Sequence, residues 1–428
     1  MLVTVDTLRA DHVSAYGYAR ETTPQIDALA AGGALFETAY APMGTTSPSH
    51  ATLFTSRHPL AHGLLRNGMR LPEAERTLAE ILAESGFRCA AFVSSFPVGR
   101  RFGFDQGFDR FDDRFDGEGA TYPMEGDWEG VALEGAFDRR ATATVDAALA
   151  WHASEDPGTR LFVWVHLFDP HDPYRPPPAY RFAPRSGTGT RDRLAARYDG
   201  EIRYADAELG RLVGALRATK RPWLVAITAD HGEGLGDHGH PHHNRTLYEE
   251  ELRVPWVMSL PGIVAPGQRI AAPVELGDIA PTLLGLLGLA GGVSLEGRDL
   301  SGWLRGDASG DRDVERTLLF ERPFYSEGRP RFGEIGPGFG ILRGTWKLIA
   351  APREGRRELY DLVRDPRERR NLAAADPERV RRLAEEALAL REVERRKRLG
   401  EAATPLSAEE RRALESLGYL DAPPGDAP

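Results

Sequence analysis

The sequence predicts an α/β fold, and three observations carry that reading. Short apolar runs end abruptly in aspartate or histidine: "MLVTVD" at Asp6, "LFVWVHLFDPHDPY" at Asp169 and His171, and "PWLVAITADHGE" at Asp230 and His231. Runs of this kind fit strands buried on both faces of a parallel sheet. Helical stretches lie between them, among them "TPQIDALAAGG", "TLAEILAESG" and "YADAELGRLVGALRATK", and strands alternating with helices indicate α/β organisation. The chain has 428 residues, 41% apolar and 28% charged, enough material for a sizeable core. In open α/β sheets the ligand site lies beyond the carboxyl ends of the strands. Polar residues at three such ends are therefore expected to converge on one cleft.

The elements then follow in order. Residues 1–310 read as one large α/β domain, and residues 311–375 as a small C-terminal α+β unit. Within the latter, "GILRGTWKLIAAP" and "RRELYDLVRDP" read as short antiparallel strands. Residues 376–428 form a helical tail: a charged helix near 376–398 expected to be a solvated face, then "SAEERRALESLGYL" as a short helix and "DAPPGDAP" as a disordered end. Residues 112–136 are an acidic, glycine-rich insertion, expected to be a mobile loop over the cleft. No internal repeat is present.

Composition limits the partners. A net charge of −10 argues against nonspecific nucleic-acid binding, which needs clustered positive charge. It does not exclude a small anionic substrate, because a metal can supply local positive charge. A single cysteine, Cys89 in "RCAAFVS", excludes an intramolecular disulfide and reads as a buried strand residue. No apolar run reaches membrane-spanning length, so a soluble chain without a membrane span is expected. No signal peptide precedes the first strand, but "MLVTVDT" begins inside that strand, as a truncated start would. Compartment and oligomeric state are left open.

The chemistry centres on "GTTSPSHATLFTSR", residues 44 to 57. Pro48 suits a first helical turn and Ser47 the N-cap before it. Thr46 then falls just outside the helix, where free amides and the dipole favour an anion. The segment is either a capped helix start or the seat of an attacking hydroxyl. "ADHGE" and "VDT" add two carboxylates and an imidazole at strand ends, a donor set suited to Mn²⁺ or Zn²⁺ rather than Ca²⁺. A metal-bound threonine hydroxyl has a lowered pKa and becomes a nucleophile.

These residues resemble the sulfatase family of the alkaline phosphatase superfamily. "TSPSHATLFTSR" is similar to the family signature, and "VDTLRADHVSAYGY", "PHDPY", "ADHGEGLGDHG", "LYEEELRVPWV", "ELGDIAPTLLGLLG" and "ELYDLVRDPRERRNL" resemble further blocks in the family's order, from residue 1 to about 375. The resemblance implies an alkaline-phosphatase-like central mixed sheet flanked by helices, a small C-terminal antiparallel sheet, and a covalent phospho- or sulfo-enzyme intermediate. It implies that Asp6, Asp230 and His231 hold one divalent metal together with Thr46, the nucleophile. His171 and His243 are implied to act on the transferring group or the leaving oxygen, and Asn67 on the substrate oxyanion, although Asn67 could equally be a turn residue. Asp169, His171 and His243 could instead build a second metal site. His238, His240 and His242 read as surface residues.

Departures from the family pattern narrow the reading. The nucleophile position is Thr46, not a cysteine or serine convertible to formylglycine. The motif's arginine is His50, which joins the candidate catalytic set. Thr7 stands where calcium-dependent sulfatases carry a second aspartate, their Gly-Lys-Trp-His block is missing, and His231 replaces a frequent asparagine. Each departure resembles phosphoryl-transferring relatives such as phosphonate monoester hydrolases and lipoteichoic acid synthases. The expected function is a metal-dependent hydrolase of phosphate, phosphonate or sulfate esters. The alternatives are a sulfatase using unmodified Thr46 and a non-catalytic oxyanion-binding module.

Overall fold

The computed structural model describes residues 1–115, 126–128, 131–133, 136–185, 189–219, 221–291, 294–306, 315–322 and 336–398. Most of the 112–136 insertion and the tail beyond residue 398 lie outside the described residues, and with them the expected loop over the cleft, terminal helix and disordered end. The strands, in chain order, are β1 (Leu2–Val5), β2 (Ala34–Tyr40), β3 (Arg88–Val93), β4 (Arg110–Asp112), β5 (Gly126–Trp128), β6 (Val131–Leu133), β7 (Leu161–Leu167), β8 (Val225–Ala229), β9 (Arg253–Ser259), β10 (Gln268–Ile270), β11 (Val274–Glu275), β12 (Thr317–Arg322), β13 (Gly338–Arg343), β14 (Trp346–Ala351) and β15 (Arg356–Asp361).

The central sheet runs β10-β2-β9-β8-β1-β7-β3-β4, with β11 also paired to β2. The apolar-run reading expected parallel strands throughout. Strand β9 is instead antiparallel to both β8 and β2, so the sheet is mixed, as the family resemblance implied. Periodicity could not show this, because a strand buried on both faces reads the same in either direction.

Helices cover both faces. Trp164 of β7 meets Phe54 of the helix Thr46–Thr55 on one face. Phe92, in register with Val165, meets Trp151 of the helix Ala141–Ser154 on the other. Cys89 is buried in β3.

The antiparallel sheet β12-β13-β14-β15 is also covered twice. Side chains alternate across a strand. Leu319, Phe339, Ile341, Leu348 and Leu359 therefore face the helix Pro377–Arg396, through its Val380, Leu383, Ala384, Ala387 and Leu388. Leu318, Phe320, Leu342 and Ile349 face Tyr40, Leu247, Tyr248 and Leu252 instead. The charged helix is thus solvated on one side only; an apolar stripe at helical spacing seats the other. Its Arg391 is buried in a bidentate pair with Glu321, at 2.6 and 3.0 Å.

Candidate active site

Strand β1 lies between β7 and β8, parallel to both, with Val5 level with Leu167 and Ala229. The three carboxyl ends are therefore side by side, and Asp6 and Asp230 leave adjacent strands at one height. One donor atom from each of Asp6, Asp230 and His231 lies within 4.8 Å of the others, and all three residues are buried. Both oxygens of Asp6, and Oδ2 of Asp230, are buried without a hydrogen-bond donor. Burial, and then the Asp230 carboxylate alongside, push the Asp6 carboxyl up. Buried carboxylates left this way are costly unless a cation meets them. The donor set fits a divalent metal.

His231 presents a defined face to this cluster. Its Nδ1 lies 2.8 Å from the Gly232 carbonyl, which can only accept, so Nδ1 carries the proton. In the neutral ring Nε2 then offers a lone pair, and it lies 3.2 Å from Thr46 Oγ1.

Thr46 is the first residue of the helix Thr46–Thr55, whose N-cap is Thr45. This corrects the expectation that Ser47 caps the helix and Thr46 lies outside it. Ser47 Oγ donates to the Pro97 carbonyl at 2.9 Å, and Thr45 Oγ1 to Asn244 Oδ1 at 2.5 Å. Asn67 Oδ1 accepts the Ser47 amide at 2.9 Å. Asn67 is thus a cap supplied from a neighbouring loop, and its oxygen is directed at the start of the helix Thr46–Thr55. With that amide used and Pro48 lacking one, the helix start offers less to an anion than its sequence suggested.

His50 occupies the motif's arginine position. Its Nδ1 lies 2.9 Å from the Thr46 carbonyl and 3.7 Å from Asp230 Oδ2, and its Nε2 lies 3.0 Å from Thr4 Oγ1. Burial holds its pKa down to about 3, so the ring is neutral. His166, on β7, is neutral for the same reason, near 4. It lies 3.5 Å from Asp6 Oδ2 and 2.9 Å from Ser95 Oγ. The sequence reading passed over His166, although a histidine inside an otherwise apolar run was a signal that it needs partners.

His171 and His243 meet edge to face, ring centres 5.0 Å apart, and His243 lies 4.5 Å from the His231 ring. Nδ1 of His171 faces the Asp172 carbonyl at 2.6 Å, and burial, then the His243 ring, lower its pKa to about 3. Nδ1 of His243 lies 3.4 Å from each oxygen of Glu233. Glu233 is a further residue the sequence reading missed; it stands two places after His231 within the same motif. Asp169 turns away to Arg140 Nε at 2.9 Å and to the Ala141 amide at 2.8 Å, so the second metal set is not assembled. Of the three histidines expected at the surface, His238 and His242 are exposed and His240 is not. His238 also stacks on Tyr248 at 3.7 Å and bonds Glu250 at 2.6 Å.

A mixed sheet with an Asp–Asp–His cluster beside a helix-start hydroxyl defines the alkaline-phosphatase-like class of ester hydrolase. The Sulfatase family model matches residues 1–289, and the chain belongs to the sulfatase family. A second model, "N-sulphoglucosamine sulphohydrolase, C-terminal", matches residues 236–393. Among curated relatives, the ulvan-active sulfatase of Formosa agariphila is 27% identical over 84% of this chain and 74% of its own. The Delta 4,5-hexuronate-2-O-sulfatase of Bacteroides thetaiotaomicron is 25% identical, over 91% and 87%. The phosphonate monoester hydrolase of Agrobacterium radiobacter shares the fold, with TM-score 0.73 and 24% identity over 92% of this chain and 95% of that one. Among the described residues no helix is long and apolar enough to cross a membrane.

Proposed function

We propose that this chain is a metal-dependent hydrolase of monoanionic phosphorus esters, phosphonate monoesters or phosphodiesters, acting through a covalent intermediate on unmodified Thr46. The observation that carries this reading is the Thr46 hydroxyl beside the His231 lone pair and the two open aspartates. A divalent ion, Mn²⁺ or Zn²⁺, held by Asp6, Asp230, His231 and the Thr46 oxygen, would supply the positive charge that lowers the hydroxyl's pKa and offsets the ester oxyanion.

The residues do the rest. Asn67 and His50 fix the first helical turn, so Thr46 Oγ1 is aimed before substrate arrives. His171 and His243 stand beside the cluster, where the leaving oxygen would emerge, and Glu233 orients His243. A threonine cannot become formylglycine, since oxidation at its Cβ would give a ketone. A phospho-threonine is a familiar intermediate, whereas a sulfo-threonine must be hydrolysed by water at sulfur. Charge narrows the substrate further. His50 replaces a guanidinium and both His50 and His166 are neutral, which suits a monoanion better than a dianionic phosphate monoester.

A sulfate-ester reading stands second, supported by the sulfatases among the curated relatives. The test is kinetics on matched 4-nitrophenyl esters (phenylphosphonate, phosphodiester, phosphate and sulfate) with metal analysis and peptide mapping. Phosphonate or diester turnover at ordinary threonine 46 supports the proposal. Sulfate turnover without phosphorus-ester activity replaces it with the second reading, and no turnover with any metal leaves an oxyanion-binding module.

A further inference from the structure

Glu251 lies buried in the short helix Glu249–Leu252, and three stretches of the candidate site meet at it. Its Oε1 accepts the Thr246 amide at 3.1 Å and the Thr246 hydroxyl at 2.6 Å, and its Oε2 accepts the Arg245 amide at 3.3 Å. Its backbone carbonyl accepts the Gly232 amide at 2.8 Å, and the Glu250 carbonyl accepts the Glu233 amide at 3.0 Å. The carboxyl group also lies against Gly44. A Cβ at that position would come 2.6 Å from Glu251 Oε2 but 3.5 Å from Glu251 Cβ, an ordinary contact.

These contacts bracket His243. Its ring faces the Glu233 carboxylate, whose own amide is held by Glu250. Its chain is held just beyond, where Glu251 takes the amides of Arg245 and Thr246. Between them Asn244 adopts a left-handed φ of 68°, which asparagine tolerates, and its Oδ1 accepts Thr45 Oγ1. The neighbour of Thr46 is therefore bonded to the neighbour of His243. A buried carboxyl group is costly to place. Here its oxygens go to the donors of one loop, which would lose their acceptors without it. Only a glycine at position 44 leaves room for the arrangement.

We propose that Glu251 is a positioning residue: its carboxyl group clasps the His243 loop onto the Gly44–Thr46 turn, so that the His243 ring and the Thr46 hydroxyl keep a fixed spacing. The clasp itself is independent of the chemistry; its effect on rate rests on Thr46 as nucleophile and His243 at the leaving oxygen. A loosened loop would serve a basic leaving group worse than 4-nitrophenolate, which departs with little help.

The test is a double-mutant cycle on metal-loaded protein, with kinetics on 4-nitrophenyl and phenyl esters of phenylphosphonate and of sulfate. Gly44→Ala should lower the melting temperature by at least about 2 °C, because the methyl displaces a buried carboxyl group. In Glu251→Ala the same substitution should cost less than about 1 °C, since the clashing atoms are gone. An equal cost in both backgrounds overturns the clasp, whether or not any ester is turned over. Glu251→Ala should lower kcat/KM about 10- to 100-fold on the 4-nitrophenyl ester and at least about tenfold further on the phenyl ester. Glu251→Gln keeps an acceptor for Thr246 and should stay within about fivefold of wild type on both. Thr246→Val, which removes only the hydroxyl donor, should show the same leaving-group bias and replaces Glu251→Ala if that variant does not fold. An equal loss on both esters, or a Glu251→Gln as impaired as Glu251→Ala, overturns the positioning role. No turnover of any ester by wild type would instead remove Thr46 as nucleophile, and with it the effect on rate, while the melting cycle still decides the clasp.

Discussion

Thr46 Oγ1 lies 3.2 Å from His231 Nε2, and the other nitrogen of that ring is tied to the Gly232 carbonyl at 2.8 Å. In the neutral ring the lone pair facing the hydroxyl is therefore fixed before any ligand binds. Thr46→Ser keeps the oxygen and should retain activity within about tenfold. Thr46→Ala should lose at least ~10³-fold in kcat with the fold intact by circular dichroism. An alanine variant keeping a tenth of wild-type turnover would remove Thr46 from the chemistry.

Removal of metal should change stability as well as activity. Asp6 and Asp230 leave three buried oxygens without donors, so a bound cation stabilises the native state by mass action, about 2.7 kcal/mol at a hundredfold excess over Kd. Melting curves with and without chelator should show that rise in wild type. In Asp6→Asn the rise should vanish, while the chelated variant should melt no lower than chelated wild type, because one buried charge is gone. A metal-dependent rise of wild-type size in that variant would show that Asp6 is not a ligand.

Glu233 and His243 should behave as one unit. Either His243→Ala or Glu233→Gln is expected to cut kcat by roughly 10²- to 10⁴-fold, the range for a positioned acid or charge stabiliser. The double variant should be little worse than either single one, because the carboxylate acts through the ring it orients. Fully additive losses would separate the two roles.

Lys347 is buried between Glu249 at 2.9 Å and Glu368 at 3.0 Å, and it ties the C-terminal sheet to the short helix Glu249–Leu252. Lys347→Met leaves two carboxylates without their cation and should cost about 3–5 kcal/mol in denaturant unfolding. Adding Glu249→Gln and Glu368→Gln should recover much of the loss. A Lys347→Met protein as stable as wild type would show that the pair is solvated.

Asp206 gives a stability that depends on pH. It accepts the Gln25 and Ile26 amides, and burial outweighs those bonds, pushing its pKa from 3.8 up to about 7. The folded value lies above the unfolded one, so its contribution is full below about pH 4 and is lost as pH rises through about 7. The melting-temperature gap between wild type and Asp206→Asn should therefore narrow between about pH 4 and pH 7 and then level off. A gap that stays constant or widens would mean that the carboxyl is ionised throughout.

Local pattern was enough for much of the fold. Apolar runs located the central strands and put Asp6, Asp230 and His231 at their ends, because burial on both faces leaves a run with no other composition. The C-terminal antiparallel strands were legible from "GILRGTWKLIAAP" and "RRELYDLVRDP", but the first of these is itself a hairpin of β13 and β14, turning at Gly344 with a positive φ of 59° that glycine tolerates. The direction of β9 was not legible, since a buried strand carries no mark of the neighbour it pairs with. Nor were the partners of the site. Thr4 and His166 are 162 residues apart, and only the adjacency of β1 and β7 makes them meet. Asn67 became a cap because its loop folds back onto Ser47, and His50 is neutral because it is buried against a strand rather than open to water. The sequence by itself determined which residues could do chemistry and the strand ends that carry them. Tertiary structure decided which hydrogen bonds those residues make and where their protons lie, because a histidine's tautomer is set by the groups that surround it.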